Sequence, residues 1–167
     1  MFFYLFALLI IVVDQVIKYF IHNLLRLGQS IPLVGNVLNL TYVRNTGAAF
    51  SLFIGFSPYL IVVGLIVVLA VIYFHHKLPP KSWWVQVGLS FVLGGSLGNL
   101  IDRIFRSYVI DYIDITVWPV FNLADIMINI GVIMIAIKLF QKEAEEIHEI
   151  NEGDRFVKGL EHVPNID

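Results

Sequence analysis

The chain has 167 residues, 58% of them hydrophobic and 14% charged, with a formal net charge of -2; its mean hydropathy is +0.81 and its pI about 6.2. Apolar content this high excludes an ordinary soluble domain, the lack of a basic face excludes nucleic acid as a partner, and the absence of cysteine excludes disulfides, thiol nucleophiles and cysteine metal sites. Eight of the thirteen acids follow Gln141, so the first 141 residues carry only Asp14, Asp102, Asp111, Asp114 and Asp125.

Hydrocarbon about 30 Å thick needs roughly 20 helical residues to cross it, and four stretches qualify. The first covers about residues 2–22. It has no basic leader region and no small-residue cleavage site, and Asp14 interrupts it, so a retained span is expected rather than a removable signal. Asp14 and Lys18 lie i, i+4 with the acid first, the better order for a helical ion pair. Either charge alone inside a bilayer costs at least roughly 2.5–3.5 kcal/mol, so pairing is the plain reading; the alternative is a pair that also binds a polar substrate group. The next thirty-five or so residues are too many for a tight turn. Within them Val37–Val43 alternates loosely between Gly35-Asn36 and Asn45-Thr46-Gly47, which predicts a short strand or hairpin on the membrane surface, partly immersed through Leu52, Phe53, Ile54 and Phe56.

The second span is expected over about 58–75, opened by Ser57-Pro58 and closed by His75-His76-Lys77 before Pro79-Pro80. The third covers about 83–102 and enters through the interfacial pair Trp83-Trp84. Gly94 and Gly98 have the spacing that brings two membrane helices close, and packing is the simpler reading of them. Asn99 and Arg103 follow one turn apart on one face, placed to orient a carboxylate by hydrogen bonding. In Val109–Asp114 the two acids are three apart: on a helix they would share a face, and in an extended segment they would point to opposite sides. The fourth span covers about 120–140. Asp125 heads its apolar run, and the fifteen residues that follow reach only about 22 Å as a helix, so the acid belongs at or just below the membrane boundary. The acidic stretch after Gln141 reads as a polar helix fraying into disorder.

With four spans, the first and third connections lie on the same side of the membrane. Arg44–Gly47, Asn99–Arg103, Asp111, Asp114 and Asn122–Asp125 therefore share one face, whereas His75, His76, Lys77 and Lys81 lie on the other. The lysines and arginines are balanced between the two sides, so the positive-inside rule does not orient the chain. Two carboxylates in a poorly hydrated pocket cannot both ionise cheaply; one holds a proton while the other draws a proton from water, the arrangement needed for acid-base hydrolysis of an amide. Asp125, near a helix N-terminus, is favoured as an anion by the helix dipole, whereas Asp111 in a loop has no such assignment. A serine-histidine-acid site finds no histidine beside a serine on this face, since His22 has no serine companion, and no HExxH pattern supports zinc. The alternatives are a small proton- or cation-coupled transporter subunit, for which no inverted repeat is found, and a structural four-helix assembly factor, which leaves the convergent acids unexplained.

These motifs resemble those of the prolipoprotein signal peptidases of bacteria, also called signal peptidase II, from about Asp14 to about Lys138. The blocks are "DQVIK" with Asp14 and Lys18; "RNTGAAF" with Asn45, Gly47 and Ala49; "GGSLGNLIDR" with Gly95, Asn99 and Arg103; and finally "VIDYID" and "FNLAD". The resemblance implies an all-α membrane protein with four transmembrane helices and a small extracytoplasmic β-rich cradle over 29–57. It implies a peptidase domain over 1–141 and a polar acidic tail over 142–167. The implied activity is that of an intramembrane aspartyl endopeptidase with Asp111 and Asp125 as catalytic dyad. Asp14, Lys18, Asn45, Gly47, Ala49, Gly95, Asn99, Arg103, Asn122 and Ala124 would bind substrate or support the site. No metal and no organic cofactor is implied. The implied substrates are diacylglyceryl-modified prolipoproteins cut before the lipidated cysteine, met among the lipids of the bacterial cytoplasmic (inner) membrane with the active site toward the outer face, and globomycin is the implied type of inhibitor. Departures from the pattern are Ser96 where alanine is common, a short connection from Asp114 to Phe121 and a long acidic tail.

Overall fold

A computed structural model describes residues 2–35, 37–47, 57–78 and 82–161. Among the described residues, four helices are long and apolar enough to cross a membrane: α1 (Phe2–Leu24), α2 (Ser57–Lys77), α3 (Trp83–Arg106) and the first half of α4 (Leu123–Glu161), whose apolar part ends at Gln141. Three strands, β1 (Ser30–Val34), β2 (Leu38–Asn45) and β3 (Val109–Asp114), form one antiparallel sheet in the order β1-β2-β3. β1 and β2 come from the first connection and β3 from the third. Their pairing places both connections on one side of the bundle, as parity requires.

α3 is the central helix and packs against the other three. Its composition explains why: Gly88, Ser90, Gly94, Gly95, Ser96 and Gly98 are small and buried, so neighbouring backbones approach closely, while Leu8 and Leu9 on α1, Leu65, Ile66 and Leu69 on α2, and Val132 and Leu139 on α4 point outward. In lipid, outward leucines cost nothing, and close packing of small residues is what joins helices. Gly94 backs onto Ile10 and the Ala7 carbonyl, and Gly98 onto the Asp14 carboxylate, so both face α1. Gly95 faces α4 instead: a methyl group there would overlap the Ala124 carbonyl oxygen. Gly95→Ala is expected to cost about 1–3 kcal/mol by overpacking. The same change at Gly64, where the nearest atom would be the terminal Leu100 Cδ1 at 3.3 Å rather than a backbone oxygen, should lower the thermal midpoint in detergent less than Gly95→Ala does.

α3 runs one turn beyond the expected end at residue 102 and stops at Ser107, whose φ of 66° and N–H bond to the Arg103 carbonyl turn the chain into β3. Val109–Asp114 is extended, so Asp111 and Asp114 point to opposite faces; Asp111 lies in a strand and not in a loop. Asp114 accepts from the Thr41 hydroxyl at 2.8 Å and the Thr116 N–H at 2.9 Å and pins the hairpin. Asp111 pairs in register with Val43, which puts Asn45 on its own face two residues on. The opposite face of the sheet buries Tyr42, Ile110 and Tyr112 against Ile21 at the end of α1. α4 begins at Leu123 and continues as helix to Glu161, so most of the acidic segment is a direct extension of the fourth span. Ala49 and residues 48–56 of the expected cradle lie outside the described residues.

Candidate active site

The first turn of α4 organises the site. A helix begins with N–H groups that have no partner inside it, and with Asn122 and Ala124 fully buried, side chains rather than solvent must supply partners. Here side chains satisfy all of them. The Asn122 N–H donates to Asp125 Oδ2 at 3.2 Å and the Asp125 N–H to Asn122 Oδ1 at 3.0 Å, a reciprocal capping box in which Asn122 is the cap and Asp125 the third helical residue. The Leu123 N–H donates to the Tyr112 hydroxyl at 3.2 Å and the Ala124 N–H to Asp14 Oδ1 at 3.2 Å. Asp125 is thus held by its own helix start, and that start is fixed to both β3 and α1.

Behind it lies a buried charge cluster. The Lys18 ammonium has three donors, and each is used: Asp14 Oδ2 at 2.8 Å, Asp102 Oδ2 at 3.0 Å and Asn99 Oδ1 at 3.0 Å. Lys18, Asp14 and Asp102 are wholly buried. Asp102 also accepts from the Ile110 N–H at 3.2 Å and pairs with Arg106, and Gln15 bridges Asp14, Asp102 and the Gly98 carbonyl. Two acids and two bases balance, and among the described residues no buried side-chain nitrogen or oxygen lacks a partner.

Asn99 carries this order forward. Its Oδ1 accepts from both Lys18 and Asn122 Nδ2 (3.1 Å), which fixes the amide orientation and turns its Nδ2 to Asp125 Oδ1 at 2.8 Å. Asn122 Nδ2 also donates to Asp111 Oδ1 at 2.7 Å, and Asn45 Nδ2 to Asp111 Oδ2 at 2.8 Å. Asn45 is held in turn by the Gly47 N–H at 3.0 Å. Asp111 and Asp125 are therefore tied through Asn122, and each carboxylate keeps lone pairs for a ligand. Burial above all, then the charge of Asp125, raises the Asp111 carboxyl from 3.8 to about 7 against the pull of Asn45, Asn122 and Lys18. Burial likewise pushes the Tyr112 phenol up, keeping the hydroxyl that caps Leu123 neutral.

Both acids open onto one cavity of about 1020 Å³, together with Asn45, Asn99 and Arg103 at its polar end and Ile126, Ile130, Ile133, Trp118 and Phe121 along its apolar wall. Arg103 lies within electrostatic reach of both acids yet forms no carboxylate ion pair among the described residues, and its one bond is a long contact of 3.5 Å to the Asn99 carbonyl. At the rim, Arg44 lies 4.8 Å from the centre of the Tyr108 ring and donates to the Tyr42 hydroxyl at 2.9 Å.

Of the residues singled out in the sequence, Asp111, Asp125, Asn45, Asn99 and Arg103 line the cavity. Asp14, Lys18, Gly95, Asn122 and Ala124 stand behind its wall as supports, and Gly47 supports Asn45. Gln15, Asp102, Arg106 and Tyr112 escaped the sequence reading as site residues. Asp102 and Arg106 carry the same i, i+4 acid-first spacing as Asp14 and Lys18, and Asn122 and Asp125 have capping-box spacing, so both signals were available. Tyr112 offers only strand alternation.

Four apolar spans with two carboxylates over one cavity suit an enzyme of the membrane-integral aspartic peptidase class. The chain belongs to the signal peptidase II family: the family model described as Signal peptidase (SPase) II matches residues 6–141. It is 40% identical over 147 residues to the lipoprotein signal peptidase of Moorella thermoacetica, covering 88% of this chain and 98% of that one. It is 44% identical over 138 residues to that of Clostridium acetobutylicum (80% and 90%) and 35% identical over 158 residues to that of Staphylococcus aureus (92% and 93%). Among solved structures it resembles a bacterial membrane enzyme determined by the in meso method at 2.3 Å, with a TM-score of 0.82, 34% identity and coverage of 86% and 90%. A second bacterial membrane enzyme, determined by the same method at 1.9 Å, gives 0.76, 35%, 82% and 91%.

Proposed function

We propose that the chain removes the signal peptide from diacylglyceryl-modified bacterial prolipoproteins, cutting the peptide bond before the lipidated cysteine, with Asp111 and Asp125 as the catalytic pair. The observation that carries the reading is that these two acids meet over one cavity at the head of a membrane span. A lipidated cysteine leaves the bilayer only at a cost of about 0.8 kcal/mol per CH₂, so the carboxylates must stand at the level of the lipid.

Asp125, as the anion, takes a proton from a water molecule whose oxygen attacks the scissile carbonyl carbon, while the proton of Asp111 passes to the carbonyl oxygen. The proton on Asp125 then moves to the leaving nitrogen, the C–N bond breaks, and Asp111 recovers its proton as the new carboxyl forms. Arg103 supplies N–H donors to a substrate carbonyl, and Asn45, Asn99 and Asn122 hold the two acids in place. The enzyme lies in the cytoplasmic membrane with the cavity toward the outer face, and a globomycin-type cyclic peptide blocks it by occupying the same space. The test is incubation of the purified protein in detergent with a lipidated prolipoprotein: cleavage at the modified cysteine, absent with the unlipidated precursor, is expected, and no cleavage of the lipidated form overturns the reading.

A pH dependence follows. The step needs Asp111 protonated, and its carboxyl is held at about 7. So long as Asp125 stays ionised, the rate is therefore retained up to about pH 7 and falls about tenfold per pH unit above it. The folded state loses stability in the same direction, since a raised carboxyl pKa favours folding below the unfolded value and that advantage vanishes as pH rises through about 7. A kcat/KM profile from pH 5 to 9 that stays flat to pH 9 would contradict the assignment of the proton to Asp111.

A further inference from the structure

Between Asp125 and Lys138 the fourth span reads IMINIGVIMIAI, and Asn129 is its one polar side chain. It lines the cavity on a wall with Ile126, Ile128, Ile130 and Ile133. One Nδ2 hydrogen is used on the Asp125 carbonyl at 2.8 Å, the bond back to its own helix. Its other hydrogen and its Oδ1 have no partner among the described residues, and the side chain is exposed to the cavity. An open amide in an apolar wall at membrane depth is costly, and such groups mark functional positions. The back-bond alone accounts for one donor and leaves the acceptor unexplained.

Asn129 lies four residues beyond Asp125, about 6 Å deeper along the helix. In the function proposed above, on which this step rests, the signal peptide enters from the bilayer, so the residues before the scissile bond run deeper than the acids. The scissile bond must be extended to be attacked, and unwinding the substrate helix frees backbone N–H groups where water does not reach them. An extended strand advances about 3.3 Å per residue, so 6 Å spans about two residues.

We propose that Asn129 is a substrate-binding residue whose Oδ1 accepts a backbone N–H of the signal peptide about two residues before the scissile bond. It selects an unwound peptide and takes no part in the bond cleavage itself.

The experiment compares the full-length wild type with Asn129→Leu on a synthetic lipidated substrate and on three versions of it, each with one of the three amides preceding the scissile bond replaced by an ester, which removes a single N–H. Loss of one hydrogen bond is expected to raise KM about 5- to 10-fold for Asn129→Leu, with kcat within about twofold. One ester substrate should cost the wild type a similar factor and cost Asn129→Leu nothing further. An unchanged KM in Asn129→Leu, or equal ester penalties in both enzymes, overturns the proposal. A fifth substrate with ether-linked lipid chains separates the sources: a variant deficit that disappears on this substrate assigns Asn129 to the lipid ester carbonyls and likewise overturns it. Should Asn129→Leu fold poorly, the wild-type ester series still decides, because no ester penalty at any of the three positions refutes it. Failure of the wild type to cut the unmodified substrate, or cutting that persists in Asp125→Asn, speaks against the peptidase reading instead.

Discussion

Asp111→Asn and Asp125→Asn are each expected to reduce cleavage of a lipidated prolipoprotein by about 10³-fold or more while the protein still folds. Asparagine has the size of aspartate but neither takes up nor delivers a proton under these conditions, so each variant removes one half of the acid-base cycle. The two should differ in stability. At position 111 the carboxylate is unwelcome above pH 7, because burial and Asp125 oppose its charge, and a neutral side chain relieves that penalty. Against this, Asn45 and Asn122 both point N–H donors at Asp111, and one would face an amide NH₂ in the variant. The net change at pH 8 should fall within about 1 kcal/mol, and the dependence of the melting midpoint on pH near 7 should disappear. At position 125 the carboxylate accepts from Asn99 and from the Asn122 N–H, and the amide keeps only one of these, costing about 1–2 kcal/mol through the weakened cap. Initial rates combined with thermal melting check both. Residual cleavage within tenfold of wild type in either variant would remove that residue from the chemistry.

How much of this was legible depends on whether the partner of a residue is near in sequence. The four spans follow from hydropathy alone, and the Asp14–Lys18 pair from i, i+4 spacing. A span of about twenty residues that starts at Trp83 ends near residue 102, whereas α3 continues to Arg106. Asp102 pairs with both Lys18 and Arg106, and Asp14 completes the balance, so the helix carries its last charged turn inward. The form of Val109–Asp114 stayed open because two acids three apart suit either helix or strand. What decides is pairing with β2, over sixty residues earlier in the chain, which no local pattern encodes. Asn99 and Arg103 were correctly placed on one helix face, yet only the fold shows that Asn99 reaches Asp125 while Arg103 keeps its donors for the cavity. The bond from the Ala124 N–H to Asp14 joins residues at opposite ends of the core, and nothing in "FNLAD" announces it.

Removing the Lys18 ammonium should have the largest effect on stability. Lys18→Met keeps length and apolar volume but leaves Asp14 and Asp102 buried without their shared cation, and breaking a buried pair from one side costs about 3–5 kcal/mol. For a chain of this length that corresponds to a fall of about 6–20 °C in the melting midpoint. Activity should fall as well, by a separate route. Asn99 loses one of the two donors that orient its amide, so its Nδ2 is held less firmly toward Asp125, and the loss should appear in kcat more than in KM. Lys18→Arg should not restore either property, because a planar guanidinium does not fit a fully buried site built around three converging acceptors. Combining Lys18→Met with Asp102→Asn removes one excess charge and should recover part of the stability, because the two positions are in direct contact and their effects are not additive. It should leave kcat low, since Asn99 remains without Lys18. A Lys18→Met protein that melts within about 2 °C of wild type would mean that the cluster does not hold the helices together. A double variant that regained full kcat would show that Lys18 supports folding alone and does not position Asn99.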